Sequence, residues 1–139
     1  MHVLLIDDDR HDTDLARATM ISSDLPVTFF VAADEREALD YLRREENLPG
    51  QDPGPPSVVF LDLLLVNSRG SDLIVSIRSR RGLARVPIVM LTMSRHPGDV
   101  EECYRRGANA YMVKSLDYGK FAADFILAVR FWAGLNVRP

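Results

Sequence analysis

Cysteine is almost missing from this sequence: Cys103 stands alone, so no internal disulfide can form and a reducing compartment is the simpler setting. Long hydrophobic runs are missing too. No apolar stretch approaches the roughly 20 residues that cross a bilayer, and Met1 to Ile6 has no basic segment before three acids interrupt it. This argues against a signal peptide and leads to the expectation of a cytoplasmic protein with no membrane partner. Positive charge is not in excess: the formal net charge is −3, and the one basic cluster (Arg78, Arg80, Arg81, Arg85) has no interleaved aromatics. Nucleic acid is therefore not an expected partner, and the arginines read as a solvated helix end, where cations suit the dipole. Repeats and low-complexity tails are absent as well. What is left is 139 residues, 47% apolar, which is the size and composition of one domain over 1–139 with a single core.

Short apolar runs alternate with stretches of helical periodicity. Val3–Ile6, Val27–Val31, Val58–Leu61, Pro87–Leu91 and Ala110–Val113 read as five strands, nearly continuous rather than alternating, as when both faces of a sheet are covered. Between them, helices are expected from Leu15 to Ile21, from Asp34 (an N-cap with Glu37 as capping-box partner), over Ser71–Ser79, over Asp99–Arg106 with Gly107 as C-cap, and from Asp117 to about Leu135. Leu48–Pro56, rich in proline and glycine, reads as a loop. Strands alternating with helices predict an α/β fold with a doubly wound parallel sheet.

The polar residues fall at the ends of those strands. The first stops at Asp7 and Asp8, the third at Asp62, the fourth at Thr92, and the fifth leads to Lys114. Ligands of open parallel sheets bind at that carboxyl edge. Carboxylates about 4 Å apart repel by roughly 4 kcal/mol per pair at a protein surface. A hard divalent cation offsets this, and Mg²⁺ suits an all-oxygen set; the scattered His2, His11 and His96 suggest no softer metal. Asp62 can act as a nucleophile toward phosphorus, with Lys114 and Thr92 contacting the transferred group. Asp9 reads as a helix-start acid rather than a ligand.

Together these residues resemble the receiver domain of bacterial two-component response regulators over nearly the whole chain. The matching pattern is Asp7 with Asp8, Asp62, Thr92 and Lys114, with Tyr111 three before the lysine and Gly70 eight beyond Asp62. The segment Gly107–Lys114 and the loop before the third strand are similar to those of the stand-alone regulators that partner bacterial and cyanobacterial phytochrome kinases. The resemblance implies a flavodoxin-like (βα)5 sheet of strand order 2-1-3-4-5 in three layers. It also implies Asp62 as phosphoacceptor and Mg²⁺ held by Asp7, Asp8, Asp62 and the backbone carbonyl of Leu64. Thr92 and Tyr111 become switch residues, and a sensor histidine kinase (more narrowly a bacteriophytochrome) becomes the donor. Such a domain assists its own phosphorylation without being a dedicated enzyme. Three departures stand out: Ser115 and Val66 replace prolines of the family pattern, and Met93 replaces a small residue.

Two rival readings belong to other classes. A pseudo-receiver, binding without phosphorylation, would lack at least one key residue, and all five are present. A Mg²⁺-dependent phosphatase would want an acid two residues past its nucleophile, where Leu64 stands. The last helix is apolar nearly all round, which predicts a homodimer or partner surface that includes Phe121, Phe125, Phe131 and Trp132. With no output domain expected after Pro139, partner or dimer contacts would carry the signal.

Overall fold

The computed structural model describes residues 1–47 and 54–139, the side chains of 45–47 excepted. Most of the loop expected at Leu48–Pro56 thus lies outside the described residues. Five parallel strands, β1 (His2–Ile6), β2 (Thr28–Ala32), β3 (Val58–Leu61), β4 (Ile88–Thr92) and β5 (Ala110–Val113), form one sheet of order β2-β1-β3-β4-β5. The helices are α1 (Arg10–Ser22), α2 (Glu35–Asn47), α3 (Gly70–Arg78), α4 (Pro97–Arg106) and α5 (Tyr118–Val129), the last running on as a π-helix over Arg130–Leu135. This is the flavodoxin-like doubly wound architecture expected from the sequence.

Side chains of successive strand residues alternate between two cores. Leu4, Ile6, Val59, Leu61, Ile88 and Met90 pack with Ala38 and Leu42 of α2, Leu73, Ile74 and Ile77 of α3 and Cys103 of α4. Val3, Leu5, Val58, Phe60, Val89 and Leu91 pack on the other face with Ala16 and Met20 of α1 and Phe121, Phe125, Ala128 and Val129 of α5. Three layers follow, and every residue of β1, β3 and β4 is buried. The edge strand β2 instead alternates exposed and half-buried positions until Ala32.

Helix starts are set by local chemistry. The Asp9 carboxylate accepts from the Asp12 N–H, so Asp9 is the N-cap of α1. Asp34 Oδ1 accepts from the Glu37 N–H at 2.8 Å while Glu37 Oε2 accepts from the Ala33 N–H at 2.7 Å, a capping box displaced by one residue. Pro97 opens α4 behind a His96 cap, two residues earlier than the expected Asp99, and Gly107 closes it at φ 117°, where a side chain would be strained.

Two expectations are corrected. Phe121 and Phe125 are not interface residues: they are 4% and 1% exposed, packed against the sheet within this one chain. Periodicity marks several stripes on α5 without saying which one faces the sheet. Arg78 is no solvated helix end. Its guanidinium donates to the carbonyls of Gly107 (2.7 Å), Ala84 (3.2 Å) and Val86 (2.6 Å) and to Asn109 Oδ1 (2.8 Å), clamping the entries to β4 and β5. After Asp62, Leu64–Leu65 pairs with Ser68–Arg69 as a short antiparallel hairpin.

Candidate functional site

Strand register assembles the site. Ile6 pairs with Leu61, so Asp7 and Asp62, the next residue of each strand, emerge side by side. Their backbones continue the ladder, the Asp7 N–H donating to Ala32 O at 3.0 Å and the Asp62 N–H to Ile6 O at 2.9 Å. Val113 pairs with Thr92, and the Lys114 N–H donates to Thr92 O at 2.8 Å, which carries the lysine to the same edge.

Asp7, Asp8 and Asp62 each place a carboxylate oxygen within 4.8 Å of the others. Three hard oxygen donors with no imidazole or thiolate among them fit a hard divalent cation. The histidines are engaged elsewhere: His2 with the Tyr41 hydroxyl and Gly54 O, His11 with the Tyr118 hydroxyl, and His96 as the α4 cap. Cys103 is buried, and loss of water around its thiol pushes it up to about 11, which suits packing rather than metal binding.

Lys114 Nζ lies 2.7 Å from Asp7 Oδ2, 2.8 Å from Asp12 Oδ2 and 3.0 Å from Asp62 Oδ2. Burial pushes the Asp7 carboxyl from 3.8 up to about 6, with Lys114 pulling it back in part. Burial also works against the Lys114 ammonium, but the carboxylates of Asp7, Asp12 and Asp62 outweigh it, and the amine is held charged above its usual range. Asp12 was not singled out in the sequence. An acid in the first turn of a helix reads as a partner for the dipole, and no spacing rule links it to a lysine 102 positions away.

Two loops frame these groups. In the hairpin, Asn67 takes φ 64°, a left-handed turn conformation that asparagine tolerates. The Val66 N–H donates to Asp8 Oδ2 at 2.8 Å, a bond that proline at this position would forbid, and the Leu64 N–H donates to Asp62 Oδ1 at 3.3 Å. A Cβ on Gly70 would lie 2.2 Å from the Asp62 carbonyl oxygen, so the start of α3 approaches Asp62 this closely only as glycine. At the end of β4, Thr92 is fully buried, and in the β4–α4 loop Ser94 donates from its hydroxyl to Asp99 Oδ2. Arg69 Nη2 reaches Asp99 Oδ1 at 3.2 Å, tying the two loops together.

Tyr111 is half-buried, and its hydroxyl donates to Ser94 O at 2.9 Å. Met93 is 50% exposed and, with Lys114, lines a recess of about 360 Å³. Lys114–Ser115 is a trans peptide. On the closing helix, Phe131 is 48% exposed and Trp132 half-buried, with Leu127 and Leu135 outside at 65% and 74%. No helix among the described residues is long and apolar enough to cross a membrane.

Comparison with known proteins agrees with this geometry. Residues 3–125 match the family model of the response regulator receiver domain. The probable methanogenesis regulatory protein FilR2 of Methanothrix harundinacea (strain 6Ac) is 31% identical over 106 residues, 76% of this chain, and the match spans 66% of that relative. Among solved structures, the phosphorylated cyanobacterial phytochrome response regulator RcpA superposes with TM-score 0.86 at 25% identity, covering 99% of this chain and 97% of that one. The bacteriophytochrome response regulator RtBRR gives TM-score 0.72 at 37% identity, covering 99% and 83%. With a sheet of order β2-β1-β3-β4-β5 and a family model matched over residues 3–125, the chain belongs to the response regulator receiver domain family.

Proposed function

We propose that this protein is a phosphorylation-controlled switch in a two-component relay, accepting one phosphoryl group on Asp62 from a phosphohistidine of a sensor histidine kinase. The observation that carries this reading is the contact of one ammonium, Lys114 Nζ, with both Asp7 and Asp62 within 3.0 Å, beside a convergent acid trio. The similarity to RcpA and RtBRR favours a bacteriophytochrome as the kinase.

In the transfer, an Asp62 carboxylate oxygen attacks phosphorus and the P–N bond to imidazole breaks. The ring nitrogen leaves with the electron pair and takes a proton from water. Asp7, Asp8 and Asp62, with the Leu64 carbonyl, would hold Mg²⁺, whose charge offsets that of the incoming phosphoryl oxygens. Lys114 neutralises a phosphoryl oxygen from the other side, and the Thr92 hydroxyl donates to another. Drawing Thr92 inward moves the loop whose Ser94 carbonyl holds the Tyr111 hydroxyl, so Tyr111 changes position and the surface of α4, β5 and α5 changes with it. Residues 1–139 would act as one receiver unit, and the exposed end of the closing helix, around Phe131 with Trp132, would contact a second copy.

Intact mass after incubation with acetyl phosphate and Mg²⁺ should show one metal-dependent phosphoryl adduct that disappears in Asp62→Asn. No adduct with any small phosphodonor would overturn the acceptor role. For the contact between copies, the double variant Phe131→Ala with Trp132→Ala should sediment as monomer at concentrations where the native chain is dimeric.

A further inference from the structure

The hairpin after Asp62 hangs from two acids of the convergent trio. The Val66 N–H donates to Asp8 Oδ2 at 2.8 Å and the Leu64 N–H to Asp62 Oδ1 at 3.3 Å, so two backbone donors orient two of the three carboxylates. The same hairpin carries the Leu64 carbonyl assigned above to the metal. Its last residue, Arg69, reaches away from the trio to Asp99 Oδ1 at 3.2 Å. The other oxygen of that carboxylate accepts from the Ser94 hydroxyl, and the Ser94 carbonyl accepts from the Tyr111 hydroxyl at 2.9 Å. One carboxylate, Asp99, thus stands between the arm that orients the trio and the loop that seats Tyr111.

The helix that follows this loop is thinly packed. Of the ten residues of α4 only Cys103 is buried, whereas α3 buries five of its nine. With so little apolar contact, the polar bonds of its first turn weigh heavily in where α4 and the loop before it sit. From this we infer that Arg69 and Asp99 are positioning residues, a tie that makes the hairpin and the β4–α4 loop move as one and so couples metal occupancy to the position of Tyr111. The inference rests on Asp7, Asp8 and Asp62 being the metal site of the receiver. Such coupling is reciprocal: a cation that fixes the hairpin fixes Tyr111, and a displaced Tyr111 loosens the cation. It reaches Tyr111 by a route that does not pass through Thr92.

Mg²⁺ titration of the whole chain by calorimetry at pH 7 separates a tie from plain charge. Acting through space, loss of the Arg69 cation would tighten Mg²⁺ binding and loss of the Asp99 anion would weaken it. Loss of a tie acts in one direction for both. Arg69→Gln and Asp99→Ala should each weaken Mg²⁺ binding about two- to fivefold, the scale of one ion pair near water. The double variant should lose no more than either alone. Fluorine NMR with 3-fluorotyrosine reads the other end, the Tyr111 signal among the four tyrosines being assigned by Tyr111→Phe. Saturating Mg²⁺ should shift that signal in the native chain, and the shift should fall by at least half in either variant with metal bound. The paired side chains are 45% and 27% exposed and Arg69 makes no side-chain cap for α3, so the variants keep the fold, which thermal melts verify.

Opposite signs for the two variants, or additive losses in the double variant, would reduce the pair to two surface charges and overturn the tie. A Tyr111 signal that ignores Mg²⁺ in the native chain would do the same. Either result leaves the metal site standing if Asp8→Asn still weakens Mg²⁺ binding at least tenfold. A native chain whose Mg²⁺ affinity is untouched by Asp8→Asn brings down the metal site and the tie together.

Discussion

The molecule buries two kinds of groups to the same depth, with opposite consequences. Phe125, 1% exposed, sits among Phe60, Phe121 and Phe29 at ring separations of 4.9, 6.1 and 6.0 Å. Asp7, Asp62, Thr92 and Lys114 are 1, 7, 0 and 5% exposed at the carboxyl edge of the same sheet. Burying the aromatic cluster removes apolar surface from water and stabilises the fold by about 1.5–3 kcal/mol per large side chain. Burying the carboxylates strips them of water and is offset only in part by one ammonium. Depth alone therefore says nothing about stability. The apolar layers hold the sheet together, and the sheet in turn holds charges that would prefer to be elsewhere.

Breaking the aromatic side gives the largest effect. Phe125→Ala should lower the unfolding free energy by about 3–5 kcal/mol in a urea titration, while the protein that remains folded still takes a phosphoryl adduct. The charged side should behave in reverse. In metal-free protein at pH 7, Asp7→Asn should raise stability by on the order of 2 kcal/mol while weakening Mg²⁺ binding, because it removes a buried charge whose carboxyl is raised to about 6. The sign follows from that elevation. A carboxyl raised in the folded state contributes stability that is fully present below its unfolded value of 3.8 and is lost as pH rises through about 6. The advantage of Asp7→Asn should therefore shrink as pH falls from 7 toward 4, where the native carboxyl becomes neutral. A smaller change is expected at the rim: Val66→Pro removes the N–H that Asp8 Oδ2 accepts, at a cost of about 1 kcal/mol, with a looser metal site read by Mg²⁺ titration.

The same division explains what could be read in the sequence. Val3–Ile6 and Val58–Leu61 announce central strands because both faces are covered, and the acids Asp7 and Asp62 announce the site because each stands directly at the end of such a run. Gly70 was marked by its spacing alone; the structure adds the physical reason, the Asp62 carbonyl lying where a side chain would go. Asp12 was illegible, because its meaning is a through-space contact from the first turn of α1 to the end of β5. The hairpin after Asp62 escaped notice since its strands are two residues each, too short for any period, although Asn67 is a turn signal. On α5, the aromatics at 121, 125, 131 and 132 look alike in sequence, and only packing separates the first two, inside, from Phe131, outside.

The pairing of Ile6 with Leu61 has a consequence for how the molecule comes into being. Asp7 and Asp62 lie 55 positions apart in the chain, and Lys114 lies 107 from Asp7. Contacts so distant along the chain close late and slowly, since the entropy of the intervening loops must be overcome first. A half-assembled chain can hold α1 or a stray hairpin, yet it cannot present two strand-end acids and the lysine together. A cation or phosphoryl mimic bound at that edge thus recognises only the finished sheet, and it draws the folding equilibrium toward completion in proportion to its concentration.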